Sequence, residues 1–212
     1  MIIAIDGPSA AGKSTLAKKL AKELGIGYID TGAMYRAMAL KAIRCGTDTS
    51  DEAELASLLG STDIDLEGGQ VLLDGEDISG LIRTEEVSMG ASRISAIPAV
   101  REKLVALQRE MGLRKSVVMD GRDIGSNVFP DADFKFFITA SPEVRAERRR
   151  KELAGKGEQT SFETVLEDIK KRDWDDSNRA LNPLVRCEDA ILVATDHLSI
   201  AEAFAELKKY LH

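Results

Sequence analysis

Residues 7–14 read Gly-Pro-Ser-Ala-Ala-Gly-Lys-Ser, a complete match to G-x-x-x-x-G-K-[ST]. The chemistry this spacing serves is the grip on a triphosphate. Glycines let the backbone curl until successive N–H groups face phosphate oxygens. A helix opening at Lys13 turns the positive end of its dipole on the same anion. Lys13 neutralises the β and γ phosphates, Ser14 offers a hydroxyl to Mg²⁺, and Thr15 suits the α phosphate. The candidate nucleotide-binding set is Gly7, Pro8, Ser9, Ala10, Ala11, Gly12, Lys13, Ser14 and Thr15. A glycine-rich turn with a surface lysine is the competing reading. The flanks disfavour it: residues 2–5 are an apolar, β-branched run, and Leu16, Ala17, Leu20, Ala21 and Leu24 recur at helical spacing before Gly25.

Arginines supply the second signal. Arg36 follows Asp30-Thr31-Gly32, and Arg122 lies between Asp120 and Asp123 where an apolar strand ends. Arg145, Arg148 and Arg149 share a helix face; Arg172, Asp176 and Arg179 share another if their helix continues. Parallel sheets place sites at the carboxyl ends of their strands, so Arg122 reads as functional. Arg149, Arg150 and Lys151 read as a solvated face. Phosphoryl transfer is mostly positioning and charge neutralisation, and cations on both sides of a triphosphate suit it.

Other P-loop classes fit less well. No Asn-Lys-x-Asp guanine-reading motif is present, and the strand-end acid Asp120 is followed by Gly-Arg-Asp rather than Glu. Asp120 reads equally as a group orienting Mg²⁺ through water and as a plain strand-end acid. A small-molecule kinase is favoured, with an acceptor that already carries phosphate. A nucleotide-binding switch without transferase activity, and a kinase for a nucleoside or shikimate-like acceptor, remain the alternatives.

The positioning elements follow from periodicity and punctuation. Strands are expected at residues 2–5, 28–30, 116–119, 134–139 and 190–194, with helices from Lys13, over 33–44, from Ser141 and over 161–174. Ser199-Ile200-Ala201-Glu202 is a capping box for a last helix. Between the second and third of these strands the rhythm breaks. Residues 63–66 and 70–73 read as a hairpin around Glu67-Gly68-Gly69, with helices from Thr84 and Pro98. The expected fold is α/β: a P-loop, doubly wound, five-stranded parallel sheet with helices on both faces.

The 212 residues suit one sizeable domain with a small insertion. A net charge of −7 argues against a general nucleic-acid binder. Cys45 and Cys187 stand far apart without a CxxC partner, which argues against a disulfide or zinc site and for a reducing cytoplasm. The N-terminus lacks a basic leader, and no stretch reads as membrane-spanning.

Several stretches together resemble the bacterial cytidylate kinase family of nucleoside monophosphate kinases. They are residues 5–14, Asp-Thr-Gly-Ala-Met-Tyr-Arg at 30–36, Ile-Arg-Thr-Glu-Glu-Val at 82–87, Pro-Ala-Val-Arg at 98–101, Asp-Gly-Arg-Asp-Ile-Gly at 120–125, and the run from Arg172-Asp173 to Asn178-Arg179. The resemblance is collinear over nearly the whole chain. It implies a core at 1–60 and 113–212, a lid at about 148–165, and a monophosphate-binding α+β insertion at 61–112. It implies ATP and Mg²⁺, CMP and dCMP as acceptors, a cytoplasmic monomer, and no nucleic-acid or membrane partner. Thr31, Tyr35 and Arg36 would line the CMP pocket, and Ser92 and Arg101 would contact the cytosine or its phosphate. Arg122 and Asp123 would hold the acceptor's phosphate and sugar, with Arg172, Asp176 and Arg179 completing the pocket. Lys13, Arg122 and a lid-borne Arg148 facing ATP would carry the transfer. Departures are small: Thr31 stands where serine is common, and Ser14 is one of the hydroxyl residues accepted at its position. Ala10 stands where glycine is common, a change expected to cost little at negative φ.

Overall fold

Strand β1 (Ile2–Asp6) is the spine of the sheet. Ile3 and Ile5 are wholly buried, as are Val117, Val118 and Met119 of β6 (Val117–Gly121). Strands buried on both faces need continuous apolar runs, and both sequences supply them. In the computed structural model, which describes residues 1–67 and 69–211, β1 pairs in parallel with β6 on one side and β7 (Phe134–Thr139) on the other. β8 (Ile191–Ala194) adds parallel to β7. The five-stranded order is β2-β6-β1-β7-β8, β2 being Gly27–Asp30. Chain order reverses direction around β1, so the loops leaving β1 and β6 face the crevice where doubly wound sheets bind ligands.

The chain forms two compact units, one of Met1–Gly27 with the segment from Ser116 onward, the other Tyr28–Lys115. In the first, α1 (Lys13–Leu24) buries Leu16, Ala17, Leu20 and Ala21 and packs against β6 and against α8 (Ile200–Lys208). The Ser199–Glu202 capping box is formed. α6 (Pro142–Gly155) and α7 (Phe162–Asn178) pack around Ala146, Leu153, Val165 and Ile169. α7 continues beyond the expected end at Trp174. Arg145 and Arg122 bind Asp173 and Asp176 in its last turns, so tertiary ion pairs extend a helix whose apolar periodicity has stopped. Arg179, at its C-cap, has left helical geometry (φ −62, ψ 143).

In the second unit, α2 (Thr31–Arg44) is capped by Asp30. An antiparallel sheet follows, with β3 (Ile64–Glu67), β4 (Gln70–Leu73) and β5 (Glu76–Asp77) in order. The expected hairpin is present, although Gly68 lies outside the described residues. α4 (Glu85–Ile94) packs on α2, and α5 (Pro98–Arg114) starts with its proline in the first turn. Lys41 pairs with Asp74, and Arg44 grips Glu76 through two bonds of 2.6 and 2.9 Å. These pairs tie α2 to the small sheet. An unanticipated helix, α3 (Glu52–Leu59), lies in the same unit. Its signals are an Asp51 cap and Leu55 and Leu59 one turn apart.

Candidate active site

The loop from Gly7 to Gly12 leaves β1 and delivers the chain to α1. Gly7 (φ 146) cannot be anything larger, because a Cβ there would lie 1.9 Å from the Ile138 carbonyl oxygen of the neighbouring strand. Ala10 departs from expectation. Its φ is 58, in the left-handed region, so the alanine carries strain of about 1–2 kcal/mol that negative φ would have spared it.

Lys13 is buried, and its ammonium donates to the Pro8 carbonyl at 2.6 Å. Burial first, then the nearby Arg122 cation, lowers its pKa from 10.5 to about 7, against the opposing pull of Asp120, Asp176 and Asp6. The opposite charge of an incoming polyphosphate would offset both effects. The Ser14 hydroxyl donates to Asp120 Oδ2 at 2.7 Å. Strand end and phosphate loop thereby share one hard-oxygen pair.

After β6 the chain makes a π-helical turn at Ile124–Val128 that sequence periodicity does not reveal. Asp6 holds it in place, accepting from the Ile124 and Gly125 amides at 2.8 and 2.7 Å. Arg122 Nε donates to Asp176 at 2.7 Å. Arg179 donates to Asp123 at 3.1 Å and to the Asn182 carbonyl at 2.7 Å, and Asn127 also donates to Asp123. Arg172 is half-buried; burial and then the Arg149 cation lower its pKa, with Arg122 adding to the effect. In the first unit, then, Arg122 pairs with Asp176 and Arg179 with Asp123, and Arg172 feels the charges of Arg122 and Asp176. Arg148 donates to the Thr195 hydroxyl and carbonyl at 3.0 and 2.7 Å. Arg149 and Arg150 pair with Glu152 and Glu147 of their own helix, as a solvated face does.

In the second unit, Asp30 caps α2 through Ala33 and pairs with Arg36 at 3.0 Å. Gly32 leaves room for this: a Cβ there would come within 3.1 Å of the Arg36 guanidinium. Thr31 is buried beside them. Arg101, 2% exposed, donates to the Ser95 carbonyl and lies 5.8 Å from the centre of the Tyr35 ring. Ser92 is half-buried, and its carbonyl accepts from Ser95.

Sequence reasoning passed over Asp6 and Thr195, and gave Arg145 and Asp173, which it named, no part in holding the loop. Asp6 had a legible signal, the same strand-end position that drew attention to Asp120. Its carboxyl is pushed from 3.8 to about 6 by burial, against the two amide bonds, with Asp123 raising it further and Lys13 lowering it. Between these values the folded chain binds a proton that the unfolded chain releases. Asp6 therefore contributes stability that is full below about pH 3.8 and lost as pH rises through about 6. The stability of the native protein minus that of Asp6→Asn is expected to fall across this window. Urea unfolding of both proteins from pH 4 to 7 measures it; a flat difference would mean that Asp6 does not titrate there.

A phosphate loop between strand and helix, a hydroxyl joined to a strand-end acid, and clustered arginines define a P-loop phosphotransferase of the α/β class. Comparison with known proteins narrows this. The cytidylate kinase family model matches residues 3–212. A cytidylate kinase of Clostridioides difficile is 49% identical, over 98% of this chain and 96% of that one. Another, from Caldanaerobacter subterraneus subsp. tengcongensis, is 55% identical over 94% and 89%. The chain belongs to the cytidylate kinase family. Among solved structures, the shikimate kinase of Bacteroides thetaiotaomicron superposes with a TM-score of 0.50 at 16% identity, covering 100% of this chain and 98% of that one, a likeness of fold. Among the described residues no helix is long and apolar enough to cross a membrane.

Proposed function

We propose that this chain transfers the γ-phosphate of ATP to CMP, and to dCMP, giving CDP or dCDP and ADP in pyrimidine nucleotide metabolism. Membership of the cytidylate kinase family supports the acceptor. The observation that carries the transferase chemistry is the approach of Lys13 and Arg122. The two cations lie close enough for Arg122 to lower the Lys13 pKa, with Asp120 and Asp176 among them. Cations drawn together in this way, Lys13 buried and Arg122 half-buried, suit a developing polyanion.

In this reading residues 7–15 hold the ATP phosphates. Ser14 and Asp120 fit Mg²⁺, which takes few protein oxygens and completes its shell with phosphate and water. Among the described residues no cluster of three or more His, Cys, Asp or Glu offers a self-sufficient metal cage. The ion's chemistry would be to neutralise charge on the ATP phosphates. Arg36, Arg122 and Arg179 take the acceptor phosphate, and Asp123 and Asp176, helped by Arg172, take the pentose. Thr31, Tyr35, Ser92 and Arg101 address the base side. Arg148 turns to ATP from the lid at about 148–165, exchanging Thr195 for phosphate. The acceptor oxygen is already anionic, so in-line attack needs no general base. The protein works as a cytoplasmic monomer on small molecules, without nucleic-acid or membrane partners.

The test is ADP release from ATP and Mg²⁺ with CMP, dCMP, UMP or AMP as acceptor. Cytosine nucleotides are expected to be preferred. Equal rates with all four would sink the acceptor assignment, and ATP binding without acceptor-dependent ADP would favour a switch.

A further inference from the structure

The strained residue of the phosphate loop is held from outside by the helical hairpin α6–α7. The Ala10 methyl packs against the cluster of Ala146, Leu153, Val165 and Ile169. One residue earlier, the Ser9 carbonyl accepts from Arg145 Nη1 at 3.2 Å. Arg145 is 3% exposed and fully committed. Its Nε donates to the Ala140 carbonyl at 2.8 Å, and its two terminal nitrogens grip Asp173 of α7 at 2.9 and 2.5 Å. One residue later, the Ala11 carbonyl is 3.5 Å from the Thr195 hydroxyl, which itself accepts from Arg148.

The loop is therefore engaged on both sides of Ala10 by groups that bind its carbonyls and its methyl. Its N–H groups are the ones suited to phosphate. A left-handed alanine persists only where its surroundings over-determine it, and the contact of its methyl with the hairpin supplies a reason for alanine where glycine would be unstrained. A rigid guanidinium fork serves Ser9, Ala140 and Asp173 together, which a single ammonium cannot do.

We propose that Ala10 and Arg145 form a two-point latch by which α6 and α7 hold the phosphate loop in its ATP-receiving shape. Arg145 is a positioning residue, and Asp173 orients it. The proposal rests on the reading of residues 7–15 as the ATP site.

Ala10→Gly removes the methyl and the strain together. The variant is expected to stay folded, with KM for ATP raised about 3–10-fold and KM for CMP changed less than about twofold. Arg145→Lys should act in the same direction and more strongly. The double variant should fall short of the product of the single effects, because both release one latch. An unchanged KM for ATP in Ala10→Gly, or an equal rise in both KM values, overturns the latch; Ala10→Gly decides the matter even if Arg145→Lys does not fold. Calorimetric titration with ATP separates the two levels. No binding to the native protein overturns the assignment of the loop. Equal affinity in the native protein and both variants overturns the latch alone.

Discussion

Replacing Lys13 with methionine is expected to abolish most phosphoryl transfer and leave the fold intact. The ammonium lies buried at the phosphate loop, and removing a single charge-stabilising donor costs catalysis about 10²–10³-fold. Stability should move the other way. Burial lowers the Lys13 pKa to about 7, which means that the folded protein holds this charge at a cost. Methionine matches the length of the side chain and carries no charge. The loss is one hydrogen bond to the Pro8 carbonyl, about 1 kcal/mol. Turnover at saturating ATP and CMP, together with the urea midpoint, checks both halves. Turnover within tenfold of the native rate would sink the role of Lys13. A large fall in the midpoint would make it structural instead.

The second large effect is expected at Arg179. Its guanidinium joins Asp123 with both side chains under 10% exposed, at 6% and 8%, and pins the turn that holds Asn182 at φ 50. Removing one partner of a buried pair costs about 3–5 kcal/mol, because the other charge keeps its burial and loses its compensation. Arg179→Met should therefore lower stability by that amount. It should also raise KM for CMP well beyond KM for ATP, since Arg179 is assigned to the acceptor phosphate. Arg179→Lys keeps the charge and should recover part of the stability, but little of the acceptor affinity, because an ammonium cannot bind carboxylate, carbonyl and phosphate in a fork. Denaturant unfolding and initial rates with each substrate varied distinguish these outcomes. Equal changes in the two KM values would remove Arg179 from the acceptor side.

Much of the scaffold was legible because its signals are local. Buried strands advertise themselves as short apolar runs, and β1, β6 and β7 were read within one or two residues. α1 was read from its spacing and from Gly25, and α8 from the Ser199–Glu202 box. α3 was missed, being eight residues long with only two buried leucines to mark it. The length of α7 was misjudged because its last turns are held by Arg145 and Arg122 from elsewhere in the chain. The family stretches named the residues of the site but not their partners. Asp30 to Arg36 illustrates this: the motif is conspicuous, and only the folded structure shows one carboxylate capping a helix and pairing with an arginine that Gly32 makes room for.

By itself, then, the sequence determined the order of the core strands, the phosphate loop and the family. Each is encoded in contiguous residues whose spacing carries the physics. The tertiary structure alone decided which charges meet. Asp6 on Ile124, Asp120 on Ser14, and Arg145 on Ser9 and Asp173 are separated by 118, 106, 136 and 28 positions. No periodicity reports a contact across such distances, because it exists only once the sheet has brought the strand ends together. The sign of φ at Ala10 belongs to the same class: nothing in the neighbouring residues reports that this alanine sits in the left-handed region, packed against Ala146, Leu153, Val165 and Ile169.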